Sequence, residues 1–279
     1  MPRPRPFAQV DVFSAVPYRG NPVAVVLDAE DLDAEEMQRF AAWTNLSETT
    51  FVLPPRDPAA DYLLRIFTPG GELPFAGHPT LGSAHAWLES GGRPRGGDVV
   101  VQECAAGLVP VHRDAGALSF EAPPLVRTGP LEEEVLERVV RALGAAREDV
   151  VDHQWVDNGP GWAAVRLASA QRVLEAEVDA RALGDLPLGL VGTHPAGSEH
   201  AVEVRAFVPE LGVPEDPVTG SLNAGLAQWL TGTGALPPDY TAIQGARVGR
   251  AGVVRVRTVD GRVRVGGEST TCLSGTAHL

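Results

Sequence analysis

Apolar residues in the first part of the chain fall into short β-branched runs separated by turn formers. Phe7 to Phe13 and Val23 to Leu27 flank Tyr18-Arg19-Gly20-Asn21-Pro22, which predicts two paired strands. Asp33 is followed three residues later by Glu36, with apolar residues at helical spacing, so a capped helix is expected to about Trp43. Strands are expected next at Thr50 to Leu53 and Tyr62 to Phe67. The stretch Gly77-His78-Pro79-Thr80-Leu81-Gly82-Ser83-Ala84-His85-Ala86-Trp87-Leu88 has a different pattern. Its proline suits a first helical turn and its small apolar residues continue all round, which predicts a buried helix. Strands at Val99 to Gln102, Leu108 to His112 and Leu118 to Glu121 follow, and Pro123-Pro124 ends strand pairing on both sides.

The second part opens with an amphipathic helix, Leu131 to Leu143, then strands near Val151 to Val156, Ala163 to Leu167 and Ala201 to Phe207. Gly220-Ser221-Leu222-Asn223-Ala224-Gly225-Leu226-Ala227-Gln228-Trp229-Leu230 is a second small-residue helix. Domains are therefore expected at 1–122 and 123–279, with the strand near Thr271 to Leu279 either staying in the second or returning to the first.

The two parts repeat one another. Arg65-x-Phe67-x-Pro69 recurs as Arg205-x-Phe207-x-Pro209, Trp87-Leu88 as Trp229-Leu230, Gln102 as Gln244, and Gly107-Leu108-Val109-x-Val111 resembles Gly252-Val253-Val254-x-Val256. The matches keep their order at a slowly drifting interval, as duplication with small loop insertions leaves it. That interval is too long for a solenoid, so two like domains with one cleft between them are expected.

At 279 residues, with 44% hydrophobic and 21% charged, the chain suits an ordinary globular protein of two domains. A net charge of −13 argues against nucleic acid or an anionic membrane as partner. No apolar run approaches the roughly 20 residues of a membrane span. Met1-Pro2-Arg3-Pro4-Arg5-Pro6 leads straight into a strand-like segment, so a cytoplasmic protein is expected. Cys104 and Cys272 form neither a disulfide framework nor a metal-finger pattern and read as isolated strand residues; no metal site is expected.

The chemistry centres on Asn45-Leu46-Ser47-Glu48-Thr49-Thr50-Phe51-Val52. Glu48 enters a strand with no nearby Lys or Arg, and a partly desolvated carboxylate can carry a proton near neutrality. The bland alternative is an exposed loop carboxylate. Gly77-His78-Pro79-Thr80 and Thr219-Gly220-Ser221 mark helix starts, whose unpaired N–H groups and dipole bind carboxylates or developing enolates; alternatively their glycines only allow close packing. His78 either caps the backbone or orients a substrate oxygen and shares a proton with Glu48. Asp216, in Glu215-Asp216-Pro217-Val218-Thr219-Gly220, either turns the chain or binds a substrate amine. G-x-S-x-G, HExxH, Walker and C-x-x-C patterns are missing, and Asn158-Gly159-Pro160-Gly161 reads as a turn.

Asp11-x-Phe13 with Gly20-Asn21-Pro22-Val23-Ala24-Val25, Asn45 to Phe51, Phe67-Thr68-Pro69-x-x-Glu72-Leu73-Pro74-Phe75-Ala76-Gly77-His78-Pro79-Thr80, and Glu215-Asp216-Pro217-x-Thr219-Gly220-Ser221 together resemble the PhzF family of phenazine-biosynthesis proteins over nearly the whole chain. The resemblance implies an α+β, diaminopimelate-epimerase-like fold in which each of two related domains wraps a curved, mostly antiparallel sheet around a central helix. It also implies a homodimer needing no metal or organic cofactor. Carried onto this sequence, it makes Glu48 the acid/base, with Gly77, His78, Asp216, Gly220 and Ser221 as substrate-binding or supporting groups. Racemases of this fold place a cysteine at each helix start; here those places hold Gly77-His78 and Thr219-Gly220, which leaves a single-carboxylate proton shift.

The implied reaction is isomerisation of trans-2,3-dihydro-3-hydroxyanthranilate. Alternatives are an isomerase or epimerase acting on another small amino or hydroxy acid, and a non-catalytic protein that keeps the cleft as a ligand receptor.

Overall fold

The structure, a computed structural model, describes residues 2–114, 116–209 and 213–279. The chain divides into two compact units, Met1–Glu121 with Gly266–Leu279, and Ala122–Val265.

The first unit contains β1 (Pro4–Val12), β2 (Asn21–Val26), α1 (Ala34–Thr44), β3 (Thr49–Leu53), β4 (Tyr62–Thr68), β5 (Gly71–Leu73), α2 (Gly77–Glu89), β6 (Val99–Cys104), β7 (Gly107–Asp114) and β8 (Ala117–Glu121). Asp11 shapes the turn after β1, since its Oδ2 accepts from the backbone N–H of Arg19 at 2.7 Å and of Gly20 at 2.8 Å. That turn lets β1 and β2 pair antiparallel, from Phe7 opposite Val26 to Val12 opposite Asn21. β2 and β3 are parallel, and the crossover such a pair requires is α1, started by a capping box of Asp33 and Glu36. β4 pairs antiparallel with β3 and β5 and parallel with β6 across α2, and β6, β7 and β8 continue antiparallel.

The second unit contains α3 (Glu133–Leu143), β9 (Val150–Trp155), β10 (Ala163–Leu167), α4 (Ala170–Glu175), α5 (Ala180–Leu183), β11 (Leu188–Thr193), β12 (Val202–Val208), β13 (Val213–Asp216), α6 (Gly220–Gly232), β14 (Tyr240–Gln244) and β15 (Gly252–Val259). β16 (Arg262–Gly267) leads back to the first unit, where β17 (Ser269–His278) pairs antiparallel along the whole of β1. The pairing scheme repeats that of the first unit. β10 and β11 are parallel across α4 and α5, β11 and β12 are antiparallel, and β12 pairs antiparallel with β13 and parallel with β14 across α6.

The sequence repeat has a physical basis in each unit. Arg65 grips Glu72 with two hydrogen bonds of 2.7 Å and lies 5.1 Å over the Phe67 ring, while Arg205 grips Glu215 at 3.0 and 2.8 Å and lies 5.0 Å over Phe207. α2 and α6 are the buried central helices. Gly82 and Gly225 hold the same place in them: a Cβ on Gly82 would collide with Val12 and Val23, and one on Gly225 with the Val156 carbonyl. Close approach of the helix to a neighbouring segment explains both glycines, strand side chains at Gly82 and the backbone just after β9 at Gly225.

Several elements were not expected. α4 and α5 are too short to show a period, and Gly189 and Gly192 interrupt the apolar run of β11. α3 begins at Glu133 rather than Leu131, with Glu132 as its N-cap in extended conformation, and the Leu131 N–H donates to His153 Nδ1 at 3.0 Å.

Candidate active site

In the first unit, the Asn45-Leu46-Ser47 connection turns the chain from α1 into β3. Asn45 takes the left-handed conformation that closes α1, and Thr44 and Thr49 hydroxyls meet at 2.9 Å across the connection. Glu48 is therefore held at the entrance to β3, its carbonyl accepting from Ala24 N–H at 3.4 Å. Below it, the Ser83 hydroxyl donates to Thr50 Oγ1 at 2.8 Å and the Thr50 hydroxyl to the Ala24 carbonyl at 3.1 Å, tying α2 to β2 and β3.

His78, the second residue of α2, brings Nε2 to 3.2 Å from Glu48 Oε2, with side chains only 7% and 13% exposed. Burial pushes the His78 pKa down to about 3, although a hydrogen bond to the Pro22 backbone pulls the other way. Proline has no N–H, so the Pro22 carbonyl must accept from the ring. Nε2 makes no hydrogen bond, so the Pro22 bond assigns the ring proton to Nδ1. Nε2, 3.2 Å from Glu48 Oε2, is then the unprotonated ring nitrogen. A neutral imidazole in this tautomer can accept a proton from a carboxylic acid but cannot donate one to a carboxylate.

α2 starts at Gly77 with Ala76 as N-cap and no side-chain cap, unlike α1. Inside its first turns, Gln102 on β6 donates from Nε2 to Thr80 Oγ1 at 3.0 Å and accepts from the Tyr62 hydroxyl at 3.1 Å.

The second unit builds a corresponding helix start. Asp216 ends β13, and the Thr219 hydroxyl donates to its Oδ2 at 2.6 Å, so Thr219 does not cap α6 with its side chain. Gln244 on β14 accepts from Thr219 N–H at 3.1 Å and donates to Thr219 Oγ1 at 2.9 Å and the Asp216 carbonyl at 3.1 Å. Ser221 follows Gly220 in the first turn of α6. Its carbonyl accepts from Asn158 Nδ2 at 2.9 Å and its Oγ from Trp162 Nε1 at 3.0 Å.

The expected residues thus fall into two groups, Glu48, Gly77 and His78 in the first unit and Asp216, Gly220 and Ser221 in the second. Asn158 and Trp162 were missed because Asn158-Gly159-Pro160-Gly161 reads as a turn. Gln102 and Gln244 were visible only as a repeated pair. His85 is half-buried, with Nε2 3.1 Å from Thr271 Oγ1 and 3.4 Å from Glu89 Oε1, so its polar face is satisfied at the edge of α2.

Residues 10–275 match the model of a family described as phenazine biosynthesis-like protein. The chain is 38% identical to antisense-enhancing sequence 1 of Schizosaccharomyces pombe, with 98% of each protein covered. It is 36% identical to trans-2,3-dihydro-3-hydroxyanthranilate isomerase of Pseudomonas chlororaphis, over 97% of this chain and 98% of that one. The crystal structure of a PhzF-family phenazine biosynthesis protein from Enterococcus faecalis superposes with a TM-score of 0.83 at 25% identity, covering 99% of this chain and all of the other.

Proposed function

The chain belongs to the phenazine biosynthesis-like protein family and is an isomerase, and from that premise we propose that it moves a proton on a small cyclic amino acid, with Glu48 as the general acid and base. The substrate we propose is trans-2,3-dihydro-3-hydroxyanthranilate, the compound named for the 36%-identical relative.

The observation that carries this reading is the buried pair of Glu48 with a neutral His78. Glu48 as carboxylate takes the proton from ring C3; the C3–H electrons shift through the conjugated ring, and a C–H bond forms at C1 as Glu48 returns the proton. The enol left at C3 becomes a ketone, so the atoms balance within one molecule. A neutral His78 at 3.2 Å places no cation beside Glu48, so no ion pair holds the carboxylate back as it takes the proton. The uncapped helix starts at Gly77 and at Gly220-Ser221 each offer backbone N–H groups suited to a carboxylate, and Asp216 is suited to an amino group. Every step uses only protein side chains and backbone.

A second reading, an isomerase acting on another small amino or hydroxy acid, is favoured by the relative at 38% identity, whose name carries no substrate. The deciding experiment incubates the protein with trans-2,3-dihydro-3-hydroxyanthranilate in deuterated water beside Glu48→Gln. Turnover with deuterium incorporation, reduced by roughly 10²–10⁴-fold or more in the variant, supports the first reading. No turnover by the parent moves the assignment to the second, and undiminished turnover by the variant removes Glu48 from the mechanism. Assembly as a homodimer is part of the same proposal and is checked by analytical ultracentrifugation.

A further inference from the structure

β17 runs from Ser269 to His278 without an Asp, Glu, Lys, Arg or Pro. Among the described residues it pairs with β1 along its whole length, and the one irregularity of that pairing, at Cys272, lies before the stretch Leu273 to Thr276. Those four residues are exposed in succession. Neighbouring strand residues point to opposite faces, so four exposed in a row leave neither face of the strand covered there. The outer edge presents a row of N–H and C=O groups ready to pair, and it lacks the charge or proline that ordinarily guards such an edge.

The end of the strand borders an apolar groove of about 670 Å³, lined by Phe7, Leu32, Phe40, Trp43, Ala277 and Leu279. Phe7 lies opposite Gly275, so Leu273, Gly275 and Ala277 share its face of the sheet. Trp43 is 80% exposed and stacked on Phe40 with ring centroids 6.3 Å apart, while Leu273 is 52% exposed. The charged residues at the groove are engaged within their own chain: Glu36 Oε2 accepts from Asp33 N–H at 3.1 Å, and Arg39 meets Glu35 at 2.8 Å. Charge then decides what can cover this face. Each copy of the chain carries −13, so two copies repel except where acidic side chains are lacking, and β17 is such a place. A basic partner would find nothing on the strand to attract it. Antiparallel pairing about a two-fold axis sets the strand against its own uncharged residues, with no like charges opposed.

We propose that the outer edge of β17 and the neighbouring Trp43 groove form the contact between two copies of this chain. β17 pairs antiparallel with β17 of the second copy about a two-fold axis near Leu273 and Ser274, so that two sheets run on as one and the Trp43 side chains on either flank are covered. This rests on the reading that the chain assembles as a homodimer, and it assigns the surface that does so.

The test is sedimentation equilibrium on the full chain, with circular dichroism to show that each variant is folded. The parent should be a dimer at micromolar concentration. Leu273→Lys places two like charges beside one another and removes two apolar side chains from the contact, so it should raise the dimer dissociation constant by roughly hundredfold or more. Leu273→Glu should do the same, and an equal mixture of the two variants should dimerise again. Trp43→Ala should raise the constant by roughly tenfold or more. Val248→Lys, at an exposed apolar position of the second unit, should leave it unchanged. A parent that stays monomeric overturns the homodimer reading and the proposal with it. A dimeric parent whose affinity survives both Leu273→Lys and Trp43→Ala overturns the proposal alone. Association beyond the dimer that Leu273→Lys abolishes would reveal an open head-to-tail contact and overturn the two-fold pairing. Should Leu273→Lys fail to fold, Trp43→Ala, on the surface of α1, decides the matter.

Discussion

His78 Nε2 stands 3.2 Å from Glu48 Oε2 as the unprotonated ring nitrogen, because the ring proton is engaged by the Pro22 carbonyl. The contact is therefore a neutral base beside an acid, and its consequences differ from those of an ion pair.

The first consequence concerns pH. With its pKa depressed from 6.5 to about 3 by burial, His78 binds fewer protons folded than unfolded in that interval. Its contribution to stability is complete above the ordinary value of 6.5 and drains away as pH falls towards 3. Ring-nitrogen NMR should find His78 neutral at pH 5, and replacing it with Asn should flatten the acid side of a plot of denaturation midpoint against pH. An imidazolium signal at pH 5 would contradict the assignment.

Glu203 behaves in the opposite sense. Its side chain is 3% exposed and 3.3 Å from His194 Nε2, and burial raises its pKa to about 7, with Arg205 pulling it down and Glu215 pushing it up. The folded state holds the extra proton between 4.5 and about 7, so this contribution to stability is present below that window and lost as pH rises through it. Glu203→Gln should be more stable than the parent at pH 8 and no better at pH 4, as measured by urea midpoints. Equal midpoint shifts at both pH values would show that the group does not titrate in this range.

Gly82→Ala and Gly225→Ala should each cost about 1–3 kcal/mol, because a methyl group must push strand backbone or β-branched side chains away from a central helix. Gly232→Ala, at the end of α6 with nothing within 4 Å, should be tolerated. Urea denaturation of the three variants checks the contrast, which fails if Gly225→Ala is as stable as Gly232→Ala.

Trp162→Phe keeps an aromatic six-membered ring and removes the pyrrole half of the indole with the N–H that lies 3.0 Å from Ser221 Oγ. The indole can only donate, so in the parent the Ser221 hydroxyl is left to donate elsewhere. Trp162→Phe should raise KM by up to about tenfold with kcat nearly unchanged, and Ser221→Ala should do the same without adding to it. Additive effects on KM would mean the two residues act separately.

Much of this organisation was legible in the sequence. Asp33 and Glu36 announced α1, continuous small apolar residues announced α2 and α6, and the Arg-x-Phe repeat announced two units built alike. In each unit the arginine clamps an acidic residue beyond the next turn and lies over the phenylalanine, a job that keeps both residue types in register. The contribution of the glutamines was not legible. A lone Gln in a strand gives no sign that its amide will be completely enclosed, since that depends on Thr219, Asn223 and Asp216 converging from another element. Trp162 and Asn158 were hidden for a similar reason, because a Gly-Pro-Gly turn advertises its bend and not what its ends will touch.

The pairing of β17 with β1 sets an order of events during synthesis. Pro4 finds its partner in His278, so that edge of β1 stays open until β17 has been made. The stretch from Ala122 to Val265 has no such debt and can complete its own sheet first. A peptide tag or truncation at the final strand should therefore disturb the portion of the molecule that holds Glu48 and His78, far away in sequence, before it disturbs the portion nearest in sequence.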